Sequence, residues 1–287
     1  MLCYTAGNNC NRYLINHSHL STLTLACYQY ALIASILISY YGMPQCPSRT
    51  NIPLHCVRSA CGAIGVMSFY YSLTQTPFAD IIGINLLSTG IGLIAHRILL
   101  GEQLNRYLFG TILLAHTSSI LWILPLLQQP DPTVNYSYWG IPLLSSFVFH
   151  LHNIFSKKLI NQGETHYNLL VYTALATSLI SAPLITHFPI PNLQESLYLL
   201  IAALSFLGGN YALQQAIQHS QLNTLIPLQL ILNIAKYVMY LCCDYIWLQP
   251  LQPERILAML IALCALQRLL YYTNQNRQKQ PLPVSIG

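Results

Sequence analysis

Residues 58–110 read RSACGAIGVMSFYYSLTQTPFADIIGINLLSTGIGLIAHRILLGEQLNRYLFG, from Arg58 to Gly110. An apolar run rich in small residues begins at Leu54 and reaches Gln75. Only Thr76-Pro77 separates it from a second run, Phe78 to Leu100. A helix crossing the hydrocarbon core needs about 20 mainly apolar residues, and both runs are long enough. Proline disfavours helix at the residue before it. The stretch therefore predicts two spans joined by a tight hairpin.

The same punctuation recurs outward in both directions. Upstream lies Leu20–Gly42; downstream lie Tyr107–Leu127, Tyr138–Ile160, Tyr167–Phe188, Ser196–Ile217, Leu222–Leu248 and Arg255–Tyr272. That makes nine spans. Residues 1–15 read as the second half of a tenth whose first half is missing, and they lack the clean apolar core of a signal peptide. Composition agrees: 54% of the 287 residues are hydrophobic and 7% are charged, against about 25% charged in a soluble domain. So few charges cannot cover a water-facing surface of this size. The fold class expected is an all-α membrane protein with about nine or ten transmembrane helices.

The charges also orient the chain. Calling the side after Leu20–Gly42 the B side, it holds Arg49, Arg58, Arg97, Arg106, Lys157, Lys158, Arg268, Arg277 and Lys279, whereas the other holds Arg12 and Arg255. Lys236 lies within a span. The B side is therefore the cytoplasm, and the C-terminus lies there too. The net charge of +5 reflects these basic loops, not a nucleic-acid surface. Nine cysteines lie mostly in apolar runs without C-x-x-C spacing, and read as free thiols. Nucleotide loops, nucleophile–base spacings and metal-ligand clusters are absent from the sequence, so no cofactor is expected.

The two halves resemble one another. Ser68–Gly110 and Gly209–Ala258 both read as a span, a very short hairpin, a span with internal polar residues, a linker and another span. Such internal symmetry marks secondary transporters. If each half has five spans, the halves insert with opposite orientation around a midplane site.

The quoted stretch resembles the EamA-type repeat of the drug/metabolite transporter superfamily. It has an Arg before the third span (Arg58), a small-residue span, a hairpin with Pro (Thr76-Pro77), a fourth span ending in Leu100-Gly101-Glu102, and Gly110 eight residues after the Glu. The likeness extends over nearly the whole chain, more clearly in the first half. It implies an inverted repeat of five-span bundles, the first over 1–135 and the second over 136–274, with a polar cytoplasmic tail at 275–287. The chain departs from the pattern in its short first span, in Gln29 where the second span usually has Arg, and in Leu248-Gln249 where a Gly-Glu usually follows the ninth span.

Polar residues within spans face cavities or partner helices. On the ninth span Gln229, Asn233, Lys236 and Tyr240 recur at i, i+4, i+7 and i+11, on one face. On the fourth span Asn85, Thr89, Gly92 and His96 hold the same relative positions. Lys236, near the midplane, either meets an anionic group of a solute or pairs internally with Asp244 or with a Glu or Asp from a neighbouring helix. Ser146, His150 and Asn153 share a face of the sixth span. His150 and His152 point to different sides, which argues against a two-histidine metal site. Asn210, Gln214 and Gln218 form a stripe on the eighth. Glu102 and Arg106 read as a cap or salt link, and Tyr70 and Tyr71 as residues within reach of the cavity.

These features predict a secondary transporter for a small polar organic solute, anionic if Lys236 meets it, with membrane lipid as the surrounding partner and a homodimer left open. If the source is bacterial, the membrane is the inner one. The competing readings are an intramembrane lipid-modifying enzyme and a degenerate or accessory membrane protein.

Overall fold

The computed structural model describes residues 2–76, 106–128 and 136–219 without interruption, and scattered residues between 80 and 99 and between 257 and 268. The Thr76-Pro77 hairpin, most of the fourth span, the whole ninth span and the tail lie outside the described residues. Within them the continuous elements are helical: α1 (Leu2–His17), α2 (Thr22–Tyr41), α3 (Ile52–Gln75), α4 (Arg106–Gln128), α5 (Gly140–Asn161), α6 (His166–Ser181) and α7 (Leu193–His219).

Local chemistry sets the ends. Ser21 caps α2 by accepting from the Thr24 amide at 3.2 Å, and the helix stops at Gly42, whose φ of 85° suits a residue without Cβ. Thr165 caps α6 through the Asn168 amide. At α7 the Asn192 side chain accepts from the Glu195 amide while Glu195 accepts from the Asn192 amide, both at 2.8 Å, a reciprocal capping box.

Among the described residues, four helical stretches are long and apolar enough to cross a membrane: Thr22–Tyr41, Ile52–Gln75, His166–Leu184 and Leu193–Gln215. Their surfaces fit lipid. Along α7, Leu193, Leu197, Leu200, Ile201 and Leu204 are exposed, a stripe at helical spacing that water would not tolerate. The interior, by contrast, holds Asn11, Gln29, Arg58, Ser145, His150 and Thr177. Apolar outside and polar inside is the arrangement of an all-α membrane protein.

The helices pack in antiparallel pairs through small residues. On α3, a Cβ at Gly62 would come within 3.0 Å of His152 on α5, and one at Gly65 within 3.1 Å of Phe149. On α1, a Cβ at Gly7 would meet the Phe206 ring of α7 at 2.7 Å; on α7, one at Gly209 would meet Tyr4 at 2.8 Å. Gly209, not Gly208, is thus the close approach in that pair. α2 lies antiparallel to α6, with Cys27 against Ser178 and Tyr41 against Tyr167. α3 also packs on α6, and α2 on α7. Ser118 of α4 donates to the Ala258 carbonyl at 2.7 Å, and Gly110 faces the Arg268 guanidinium, so the 257–268 segment runs back along α4. Residues 1–15, expected as half a span, form an ordered helix that lies along α7.

Candidate functional site

α1, α2, α3, α5, α6 and α7, with Asn85, wall a cavity of about 220 Å³. Its aromatic surface comes from Phe69, Phe149 and Phe206, and its polar groups from Tyr4, Asn8, Tyr30, His150, Asn210 and Gln214, among others. Among the described residues, none that lines it is Asp, Glu, Lys or Arg. Tyr4 donates to Asn210 Oδ1 at 2.9 Å across the α1–α7 contact. Ser88 donates to Ser146, joining the fourth-span region to α5. Asn8 and Gln214 are 7% and 5% exposed, and among the described residues Asn8 Oδ1 and Gln214 Oε1 have no hydrogen-bond partner. Buried acceptors left unmatched cost free energy, so both are prepared to receive an N–H or O–H from an occupant.

Four of the residues singled out from sequence therefore share one wall system: Asn85, His150, Asn210 and Gln214. Ser146 and Asn153 join His150 there. Thr89, Gly92, His96, Gln229, Asn233, Lys236 and Tyr240, with Glu102 and Asp244, lie outside the described residues. His152, read from sequence as pointing to a different side from His150, also reaches the wall; only Leu151 separates the two. Its ring sits over Gly62 with Nδ1 3.0 Å from the Arg58 carbonyl. Among the described residues no group of His, Cys, Asp and Glu could hold a metal ion.

Tyr70 does not line the cavity. Its hydroxyl accepts from Asn11 Nδ2 at 2.9 Å and donates to Gln29 Oε1 at 2.6 Å, tying α1, α2 and α3 together. Gln29 is thus an interior bracket. Tyr71 is 39% exposed and stands against Tyr138. Sequence reasoning missed Tyr4 and Asn8. Tyr4, Asn8 and Asn11 recur at i, i+4 and i+7, the same face signal as Ser146, His150 and Asn153, but it sits on a helix read as a fragment.

A second polar region lies beyond the cavity, toward the loops 42–51 and 161–166. Arg58 is one helical turn from the cavity residue Gly62 and is fully buried. The sequence places it among the B-side charges; in the structure it is an interior group that donates to the Leu169 carbonyl at 2.7 Å and to Ser156 Oγ at 3.5 Å. Within this region His55 Nε2 stands 3.3 Å from Glu164 Oε1. Asn51 and Asn168 also donate to Glu164, at 3.1 and 3.4 Å. Partial burial pushes the Glu164 pKa up, but the hydrogen bonds from Asn51, Asn168 and His55 outweigh it and hold the carboxyl below its ordinary value. Lys157, another of the B-side charges, is buried and donates to the Ile217 carbonyl at 2.6 Å.

No protein-family model matches the chain. Among curated proteins it is 24% identical over 175 residues to the pseudopaline exporter CntI of Pseudomonas aeruginosa, from two strains, UCBPP-PA14 and PAO1. The match spans 60% of this chain and 60% of the exporter's length. Among solved structures, one crystal structure superposes with a TM-score of 0.65, covering 94% of this chain and 97% of that one at 12% identity. At that identity the likeness speaks to the fold alone.

Proposed function

We propose that the chain is a secondary transporter that moves a small polar organic solute across the membrane by alternating access, built as an EamA-type inverted repeat of two five-span bundles over 1–135 and 136–274. The observation that carries this reading is the cavity: hydrogen-bonding side chains from five helices, with Asn85, converge inside a bundle whose outer face is apolar. A structural interior would close that space with apolar side chains, because polar groups held from water need partners.

The helix contacts support the repeat. Exchanging α1 with α5, α2 with α6 and α3 with α7 maps the α3–α5 contact onto α7–α1 and the α3–α6 contact onto α7–α2, and leaves α2–α6 in place. In both major pairs a glycine accepts a ring from the partner, His152 over Gly62 and Tyr4 over Gly209. The first helix of each half presents polar residues at i, i+4 and i+7. Sites between such halves sit near the midplane, where rocking of one half against the other exposes them alternately. The likeness to an exporter supports transport over catalysis. Lys236 on the ninth span would supply the positive charge that the described wall lacks, and so favours an anionic solute.

Purified protein in proteoliposomes, given a panel of labelled polar metabolites that includes pseudopaline, tests the reading. Saturable uptake of at least one solute is expected. Gln214→Leu and His150→Leu, each with unchanged thermal stability, should lower it at least tenfold. Uptake that both variants leave unaltered, or that never exceeds empty liposomes, overturns it.

A further inference from the structure

Resting on the transport reading, we propose that Arg58 and Glu164 form the cytoplasmic gate of the cavity, a plug and a latch stacked in two layers beneath it. The first layer follows directly from the cavity floor. Gly62, His152 and Thr173 line the cavity on α3, α5 and α6. One turn further along each helix stand Arg58, Ser156 and Leu169. The Arg58 guanidinium joins these three, with bonds to Ser156 Oγ and the Leu169 carbonyl. It therefore occupies the cross-section between the helices about 6 Å below Gly62, at 1.5 Å of rise per residue.

The second layer lies about 10 Å below Gly62, at His55. Here Glu164 gathers Asn51 from the start of α3, His55 from its first turn and Asn168 from α6. Asn168 in turn accepts from the Gln45 amide, so the 42–51 loop is tied to the same carboxylate. One acid on the short α5–α6 connection thus holds together the elements that would have to part for the cavity to meet the cytoplasm. The opposite end differs: there, among the described residues, closure rests on neutral contacts such as Tyr13 on Tyr198 and Gln194 to Tyr13.

Charge suits a gate better than apolar packing would. Burying a charge such as the Arg58 guanidinium carries a desolvation cost that apolar packing avoids, so its presence needs another reason. When the layers separate, water hydrates Arg58 and Glu164, which stabilises the open form. An apolar plug would instead expose hydrophobic surface on opening. Among the described residues Arg58 Nε has no partner in the closed arrangement, and it gains one in water.

Hydrogen–deuterium exchange of the protein in nanodiscs tests this without any solute, so a failed uptake assay and a failed gate give different results. Relative to wild type, Glu164→Ala should speed exchange at least tenfold in peptides covering 145–156 and 166–173, which carry the cavity floor. Peptides covering 2–17 and 193–204 should stay protected. Asn168→Leu, which removes one tie and keeps the acid, should act in the same direction by a smaller factor and serves where the alanine variant does not fold. Faster exchange confined to the 42–51 and 161–166 loops would reduce Glu164 to a loop anchor and overturn the gate. Unchanged protection, or a rise spread evenly over every helix, overturns it equally.

Discussion

Replacing Tyr70 by Phe removes one oxygen atom from a dry junction of three helices. Tyr70, Gln29 and Asn11 are each at most 1% exposed, so water cannot substitute for the hydroxyl. Two bonds are lost, at 2.9 and 2.6 Å, and Asn11 Nδ2 and Gln29 Oε1 are stranded. The same two amides already carry unmatched atoms, Asn11 Oδ1 and Gln29 Nε2. Interhelical hydrogen bonds in membrane proteins average about 0.6 kcal/mol and reach about 1.7, so two predict a loss of between about 1.2 and 3.4 kcal/mol. The scale from water-soluble proteins, about 1–3 kcal/mol per stranded group, would give more. The membrane scale applies because a chain unfolded within the bilayer also finds partners. Reversible unfolding in mixed micelles measures the difference. Adding Gln29→Leu should recover part of the loss, with a coupling of at least about 0.5 kcal/mol. A Tyr70→Phe cost below about 0.5 kcal/mol, or strict additivity in the double variant, would refute the claim that this hydroxyl brackets α1 to α2 and α3.

Gly7→Val places a Cβ 2.7 Å from the Phe206 ring and should destabilise by about 1–3 kcal/mol, read as a lowered Tm that Phe206→Leu partly restores. Glu164 lies among His55, Arg58, Asn51 and Asn168, and its carboxyl is held below its ordinary value; a depressed folded pKa contributes stability above the unfolded value of about 4.3 and loses it as pH falls through the folded value. Thermal scans from pH 6 downward should therefore show a decline that Glu164→Gln flattens, and parallel curves would remove the electrostatic role. Lys236→Met should keep thermal stability and weaken binding of an anionic solute tens-fold or more, as expected when a charge pair of about 2–5 kcal/mol is lost; destabilisation rescued by Asp244→Asn would make Lys236 structural instead. A reporter fused after Gly287 should read cytoplasmic and one inserted at Asp131 external, and the reverse pattern would invert the orientation.

The amino-acid sequence by itself determined that the chain is built of long apolar helices and which residues share a helix face. The spans read as Leu20–Gly42 and Leu54–Gln75 follow from apolar length and are the helices Thr22–Tyr41 and Ile52–Gln75, and the stripes Ser146, His150, Asn153 and Asn210, Gln214 follow from a period of 3.6, a purely local property of the backbone. Only the tertiary structure decided which helices meet. Arg58 reads as a B-side charge by its place near a span end, yet the approach of α5 and α6 buries it completely. Tyr70 looks like a cavity residue until Asn11 and Gln29 converge on its hydroxyl from two other helices. Tyr4 and Asn8 look like part of an incomplete span until Gly209 admits α1 against α7 and turns their face inward. The physical reason is that helix pairing in a bilayer depends on small residues and polar partners far apart in the chain, whose matches no local pattern records.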